Sequence, residues 1–521
     1  MAEYQERADV ILDVSTGRGE PLAVPDSDIP FRIAVLGDFS GQANRGLSQT
    51  LPRSCLRSWE IDSDTFDSVV AKVGPSLKIP FSGRQSASLH LAFRELDDFH
   101  PDRLLERLDV FARLGSLRQR IVNPDSFPAV AAELGLPDAA MVAAATQENP
   151  AQYPEVAELP SGSLLDEIVE RTGEESRAPR SPSIPGDLGR IVQEIVSSHV
   201  VAGPDPRQPE LLARVDRMLG DLMWAILHHP DFQALESIWR GLFFLLRRIE
   251  TGLALKVQIF DISKDELAAD LLSAADIRST AVYELLVRQT VETPGGEPWA
   301  ILLGVYTFDS GKGDVELLAR LGQVALRAGA PFLGATDPSL VGMAPLEDAD
   351  SPYWASLGEQ PATPEWHAVR RSAEARYIGL VLPRFLLRLP YGKETDRTEA
   401  FDFEEMAASP RQEDYLWGNP AFACGSLLAQ AFSDSGWSMR TGAHRDLKGL
   451  PLHGYMQNGE HRLTPCAETL LTEETIEQIL DCGVMPLASI KSRDEARLVR
   501  FQSIADPPGS LAGRWTNFNA G

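Results

Sequence analysis

The sequence predicts an α/β protein, with some α+β character, built as two α/β parts packed together around a helical linker arm. Three observations carry this expectation. Phe31 to Leu36 (FRIAVL) is a near-continuous apolar run closed by Gly37-Asp38, which suits a strand buried on both faces. From residue 211 onward, runs of strand length alternate with stretches of helical spacing. Between these regions, residues 138–210 are dominated by proline, serine and charge, the composition of a linker or loosely packed arm.

In chain order, Ala8 to Val14 (ADVILDV) alternates apolar and polar residues and is closed by Ser15-Thr16-Gly17, which predicts a short strand. Leu77 to Pro80 and Ser88 to Phe93 predict two more. Arg103 to Ile121 places Leu104, Leu105, Leu108, Val110, Phe111, Leu114 and Leu117 at helical spacing, which predicts one helix. Inside the arm, Ser163 precedes Leu164, Leu165, Ile168 and Val169, with Asp166 and Glu167 in the first turn. This reads as a capped amphipathic helix. Leu188 to Val200 has a helical pattern too. Leu211 to Leu227 carries an apolar stripe that must stop at His228-His229-Pro230, because proline cannot continue the preceding helix. A second helix follows, with Phe232, Leu235, Ile238, Trp239, Leu242, Phe243, Leu246 and Ile249 inward. Then come a strand at Leu255–Ile262, a helix near 264–275, a strand at Ala300–Tyr306, a helix at Asp314–Ala328 and a strand at Pro331–Ala335. The division is 1–137, 138–210 and 211–521.

Charge narrows the functional classes. Lys+Arg number 49 against 75 Asp+Glu, a net charge of −26, so a nucleic acid or an anionic membrane surface would meet repulsion. No apolar run approaches the roughly 20 residues needed to span a bilayer. The opening MAEYQERADV lacks a basic start and an apolar stretch, which predicts a chain without a secretory leader. Cys55, Cys424, Cys466 and Cys482 are scattered and predict reduced, buried thiols in a cytoplasmic protein.

Chemical look-alikes fail on spacing. FRIAVLGDFSG at 31–41 runs from a strand into a glycine turn, but no Gly-Lys pair follows to hold a phosphate. Gly311-Lys312-Gly313 is not followed by the serine or threonine that would reach a magnesium ion. His228 and His229 project about 100° apart on a helix and cannot share one ion, so a helix-end role is expected. His444, His453, His461 and Cys466 match no zinc spacing, and Cys482 reads as a buried thiol. Glu404-Glu405 and Glu473-Glu474 read as solvated helix starts. No catalytic residue, cofactor site or metal site is expected, which favours an assembly or binding role over an enzyme.

Several longer stretches carry a resemblance. In the first part these are PFRIAVLGDFSG (30–41), WEIDSDTFDSVVAKVGPSLKI (59–79) and LAFRELDDFHPDRLLERL (91–108). They include Asp64, Phe66 and Asp67, then Phe93, Leu96, Asp98, Phe99, His100 and Pro101. In the second part they are LLDEIVERT (164–172), HHPDFQALESIWRGLFFL (228–245), LKVQIFDISKDELAADL (255–271), DVELLARLGQVALRAGAPFLGA (314–335), RYIGLVLPRFLLRLPYG (376–392), YLWGNPAFA (415–423) and GLPLHGY (449–455). The first set resembles the small (TssB/VipA-like) subunit, and the second the large (TssC/VipB-like) subunit, of the type VI secretion system contractile sheath. The chain therefore resembles a fusion of two proteins that are normally separate, with the large-subunit-like part ending short of the usual C-terminal extension.

That resemblance implies a structural subunit, one chain being equivalent to one small–large heterodimer. The alternative is a non-polymerising adaptor, cap or regulator derived from the sheath. Implied partners are further copies of itself, other sheath subunits, inner-tube and baseplate proteins, and the AAA+ ATPase that recycles sheath. Nucleic acid and direct membrane insertion are not expected. By carry-over from the family, Asp9, Val10, Ile11, Leu12, Asp13 and Val14 would exchange a strand between protomers. Leu164, Leu165, Ile168 and Val169 would form the helix recognised by the ATPase.

Overall fold

The structure is a computed structural model that describes residues 29–46, 57–80, 88–135, 205, 207–344, 354, 363–407, 410–457 and 459–518. Two compact units organise it. The first gathers residues 1–69, 237–388 and 411–521, and the second gathers 70–236 and 389–410. Each unit thus draws on both the N-terminal and the C-terminal part of the sequence.

The first unit is built on a mixed sheet. Numbering strands through the chain, its members are β1 (Phe31–Gly37), β2 (Ser58–Ile61), β5 (Leu255–Asp261), β6 (Ile301–Phe308), β7 (Phe332–Thr336), β8 (Ile378–Leu382), β11 (Asp446–Lys448), β14 (Met485–Ser489) and β15 (Glu495–Leu498). Their order across the sheet is β2-β5-β1-β6-β7-β8-β14-β15-β11. The run from β5 to β14 is parallel, and β2, β15 and β11 pair antiparallel at the margins. Central strands are buried along nearly their whole length, as β7 and β8 show at every position. This explains why the apolar runs are continuous and not alternating.

Helices cover both faces. On one face Leu302, Phe260 and Leu380 join a cluster with Leu267 and Leu271 of helix α7 (Lys264–Ser273) and Leu318 and Leu321 of α8 (Lys312–Ala328). On the other face lie α6 (Pro230–Leu246), of which residues 237–246 belong to this unit, and α10 (Ala421–Ser435). Glycines set how close they come. A Cβ on Gly37 would lie 2.4 Å from Ile238 Cδ1, on Gly425 2.7 Å from Leu303 Cδ1, and on Gly241 2.5 Å from Phe422 Cδ2. No side chain larger than hydrogen fits there without displacing a neighbour.

The C-terminal segment lies along the amino-terminal ends of β6, β7 and β8. Ile504 N donates to Ile378 O and Ala512 N to Arg376 O (3.0 and 2.8 Å). The buried Arg514 donates to the carbonyls of Trp299 and Ala328 (3.0 and 2.8 Å). Arg370 does the same for Ile504 and Asp481 (2.9 and 3.0 Å). Its proline- and glycine-rich composition gave no hint of a segment that buries Ile504, Leu511 and Trp515.

In the second unit, strands β3 (Ser76–Pro80) and β4 (Ser88–Ala92) form an antiparallel pair. Helices α2 (Pro101–Arg107), α3 (Asp109–Val122), α4 (Phe127–Glu133) and α5 (Arg207–Leu227) accompany it. The single helix expected over 103–121 is two, broken at Leu108, whose backbone is extended (φ −95, ψ 122). Leu108 stays buried across the break, so the apolar spacing carries no sign of it. Helices α5 and α6 meet at His228-His229, where the sequence places the stop. His228 Nδ1–H donates to Trp224 O (2.9 Å), and His229 Nδ1 accepts from Asp231 N (3.3 Å).

Candidate functional site: the seam between the two parts of the chain

Within the first unit, β1 comes from the N-terminal part yet lies between β5 and β6. It pairs in parallel from Phe31↔Leu255 through Gly37↔Asp261 on one side, and from Ile33↔Ile301 through Leu36↔Gly304 on the other. Its ends are locked by aromatic contacts. Phe31 lies 4.7 Å from Phe432 and 5.7 Å from Trp437, whose Nε1 donates to Ile29 O at 2.8 Å. Arg32 stacks on Trp299 at 3.9 Å. At the far end, Phe39 and Phe66 pack edge-on against Trp239 (5.2 and 5.9 Å), and Trp239 Nε1 donates to Phe39 O (3.0 Å). Such pairs add to the burial term.

The turn after β1 shows why the nucleotide look-alike is not one. A phosphate cradle needs free backbone N–H groups. Here Ser40 N donates to Asp261 Oδ1 (3.0 Å), and Gln42 N and Ala43 N donate to the Asp38 carboxylate (2.8 and 2.9 Å). Gln42 Nε2 completes the set on Asp261 Oδ2 (3.2 Å), with the Arg57 guanidinium 3.4 Å away. Two internal carboxylates therefore occupy the place a phosphate would take. Asp261 is fully buried at the end of β5, and burial lifts its carboxyl above the ordinary value against the pull of Ser40 and Arg57. It ties the N-terminal turn to the C-terminal sheet.

The loop before α8 repeats the pattern. Gly311 N donates to Asp309 Oδ1 (2.7 Å), Asp309 N to Asp314 Oδ2 (2.8 Å), and Lys264 bridges Asp314 and Thr307 O (2.6 and 2.7 Å). Lys264, not Lys312, is the cation that binds there.

In the second unit the same two parts of the chain interlock again. Phe93 and Phe99 stack at 4.0 Å, and Phe232 at the start of α6 meets both edge-on (5.9 and 5.6 Å). The buried Asp98 accepts from Arg94 N (2.7 Å) and pairs with Arg107 (2.5 Å), which fixes the turn that presents Phe99. His100 caps α2 by accepting from Asp102 N (3.2 Å) and packs edge-on against Tyr391 (4.9 Å). Asp102 in turn accepts from the backbone of Glu399 and Ala400 (2.9 and 3.1 Å). Helix α3 is tied to α5 by Arg118–Asp216 (2.6 Å) and by Gln208 Nε2 on Ile121 O (2.6 Å). The residues singled out at 93–101 thus dock onto those singled out at 228–245.

Other sequence candidates fall into place one by one. Phe66 is buried against Trp239, but Asp64 and Asp67 are exposed, and Asp62 caps the turn by accepting from Thr65 N (2.7 Å). Glu405 is not a solvated helix start. It is buried, accepts from Tyr391 N (2.7 Å) and lies 3.7 Å from His228. Glu473-Glu474 does open a helix, α11 (Glu473–Asp481). His444 pairs with Asp434 (2.6 Å) and His453 with Tyr415 (2.8 Å), while Cys466 donates to Arg493 O (3.3 Å). Among the described residues no group of side chains is arranged to hold a metal ion. Cys424, Cys466 and Cys482 are free and buried, and burial pushes the Cys482 thiol up to about 11. Asp9 to Val14, Leu164, Leu165, Ile168 and Val169, and Cys55 all lie outside the described residues.

Sequence reasoning missed Asp261 and Glu405. The one available signal was an aspartate closing an apolar strand, in QIFDIS, where a buried carboxylate must find donors.

Comparison with known proteins agrees with this two-part seam. The VipB family, described as a tail sheath N-terminal domain, matches residues 209–505. This chain belongs to that sheath family. The VipA family of the type VI secretion system matches residues 4–126, so small- and large-subunit matches follow one another in a single polypeptide. A relative, the type VI secretion system sheath protein TssC1 of Pseudomonas aeruginosa, is 34% identical over 306 residues, which are 57% of this chain. The match spans 61% of that relative's length. The family is one of structural sheath proteins. Among the described residues no helix is long and apolar enough to cross a membrane.

Proposed function

We propose that this chain is a structural subunit of a type VI secretion-like contractile sheath, in which one polypeptide does the work of one small–large subunit heterodimer. The observation that carries the reading is the position of β1. A strand from the small-subunit-like part lies in the interior of the sheet of the large-subunit-like part, hydrogen-bonded on both edges. Two subunits joined this way are a single folding unit, and a covalent link fixes their stoichiometry at a high effective concentration. On this reading residues 1–137 and 211–521 are the two subunit-like parts and 138–210 the connection. Copies of the chain then meet head to tail and build an open helical array. Asp9–Val14 contributes a strand to a neighbouring copy, and Leu164, Leu165, Ile168 and Val169 present the face read by a recycling ATPase. Inner-tube and baseplate proteins are further partners, and the site of action is the cytoplasm.

The experiment is negative-stain electron microscopy of the purified chain over a concentration series, with light scattering in parallel. Tubes or stacked rings are expected, and deletion of residues 1–17 should abolish them. A chain that stays monomeric at every concentration would overturn self-assembly and point to an adaptor or cap.

A further inference from the structure

Among the described strands, the sheet of the first unit ends in β2 at one margin and in β11, paired to β15, at the other. The two margins carry opposite charge. Residues 58–67, which are β2 and the turn after it, hold Glu60, Asp62, Asp64 and Asp67 and no lysine or arginine. Arg57, which leads into β2, is engaged by the buried Asp261 and Glu266 (3.4 and 3.8 Å). At the other margin, residues 440–448 and 491–500 together hold seven Lys and Arg against three Asp and Glu, a net of +4 in a chain of net −26. We propose that the acidic β2 margin of one copy docks against the basic β11–β15 margin of the next, so that charge sets the direction in which copies join.

Three features point to a second copy as the occupant. The first is that the charges are available. Glu60, Asp64 and Asp67 are exposed, as are Arg440, Lys448 and Arg500, and among the described residues none of these six is in an ion pair. Asp446 takes only Arg497 (2.5 Å), and Arg248 adds a cation to the same margin by donating to Lys448 O (2.7 Å). The second feature is separation. Nine strands spaced about 4.8 Å apart set the margins roughly 38 Å from each other. That is several times the Debye length of about 8 Å at physiological ionic strength. The two sets of charge cannot neutralise each other within one chain, and only another molecule brings them together. The third feature is selectivity. An exposed strand edge invites pairing, and charge of one sign at both margins would suppress every such contact. Opposite signs oppose β2 against β2 and β11 against β11, which are the isologous contacts, and favour β2 against β11. That remaining contact is heterologous, and its repetition gives an open array.

This contact deepens the self-assembly proposed above and rests on it. The test is sedimentation velocity of the full chain at low salt over a concentration series, read as the midpoint concentration for association. Glu60→Lys, Asp64→Lys and Asp67→Lys together make both margins basic, and Arg440→Glu, Lys448→Glu and Arg500→Glu together make both acidic. Each triple variant alone should raise the midpoint by about tenfold or more. An equimolar mixture of the two should return to within about threefold of the parent, because every margin again meets its opposite. Added salt should weaken parent association severalfold. Thermal melts check folding. If a triple variant does not fold, Glu60→Gln with Asp64→Asn, and Lys448→Gln with Arg500→Gln, read the same contact and should each raise the midpoint about threefold. Parent association that neither set of variants changes overturns the contact and leaves the sheath reading standing. A change in one triple variant but not the other means that a different surface or partner meets that margin, and overturns the contact too, as does a mixture that stays dissociated. Salt-sensitive short oligomers that follow the mixing pattern but form no tubes uphold the contact and overturn the sheath. A parent that stays monomeric at every concentration overturns both.

Discussion

Replacing Asp261 separates the two roles its carboxylate plays in the seam. As a hydrogen-bond acceptor it holds Ser40 N (3.0 Å) and Gln42 Nε2 (3.2 Å). As a charge it faces Arg57 at 3.4 Å, but the Arg57 side chain is 44% exposed, so water screens most of that attraction. Asp261→Ala strands at least one buried donor at a cost of about 1–3 kcal/mol, and the lost packing adds to it. The expected total is about 3 kcal/mol. Asp261→Asn keeps an acceptor for Ser40, removes a charge that burial disfavours, and should stay within about 1 kcal/mol of the parent.

The pH dependence has a defined sign. Burial raises the folded-state carboxyl above its unfolded value, so the native state holds the proton more tightly. The stability this gives is fully present below the unfolded pKa and is lost as pH rises through the folded one. The Asn variant carries no such dependence, so it should gain on the parent as pH rises across that window. Hydrogen exchange of the segment spanning residues 36–46 reads the effect locally, where a two-unit chain makes global unfolding curves hard to interpret. A loss of about 3 kcal/mol there accelerates exchange roughly 150-fold in Asp261→Ala. Exchange in Asp261→Ala unchanged from the parent, or equally fast in Asp261→Asn, would refute the argument that hydrogen bonding to Asp261 holds the turn.

Two further outcomes follow from the packing. Phe232→Ala removes a fully buried ring from the Phe93–Phe99 stack and should cost about 3–5 kcal/mol, read as lost exchange protection in segments 91–100 and 228–236. Arg514→Met leaves the carbonyls of Trp299 and Ala328 without their donor, so limited proteolysis should cut the C-terminal segment beyond residue 499 at least about tenfold faster.

The sequence by itself determined the elements and the family. The continuous apolar run FRIAVL reads as a strand buried on both faces, and it is one. Helical spacing located α5, α6 and α8 to within a few residues, because a 3.6-residue stripe is a local property of the chain. The ordered motif blocks were enough to recognise the sheath family, since they are strings of residues and need no coordinates. What only the tertiary structure decided is who pairs with whom. Nothing local in FRIAVLG tells that it lies between β5 and β6, more than 200 residues away in sequence, because strand partners are chosen by long-range hydrogen bonds. The same holds for Phe99 against Phe232 and for Asp261 against Ser40, where each residue looks ordinary until its partner is known. The break at Leu108 stayed hidden because the side chain remained inward while the backbone turned. A cleft at the carboxyl ends of β6, β7 and β8 stayed hidden because its lining gathers six separate stretches of chain that only the fold brings together.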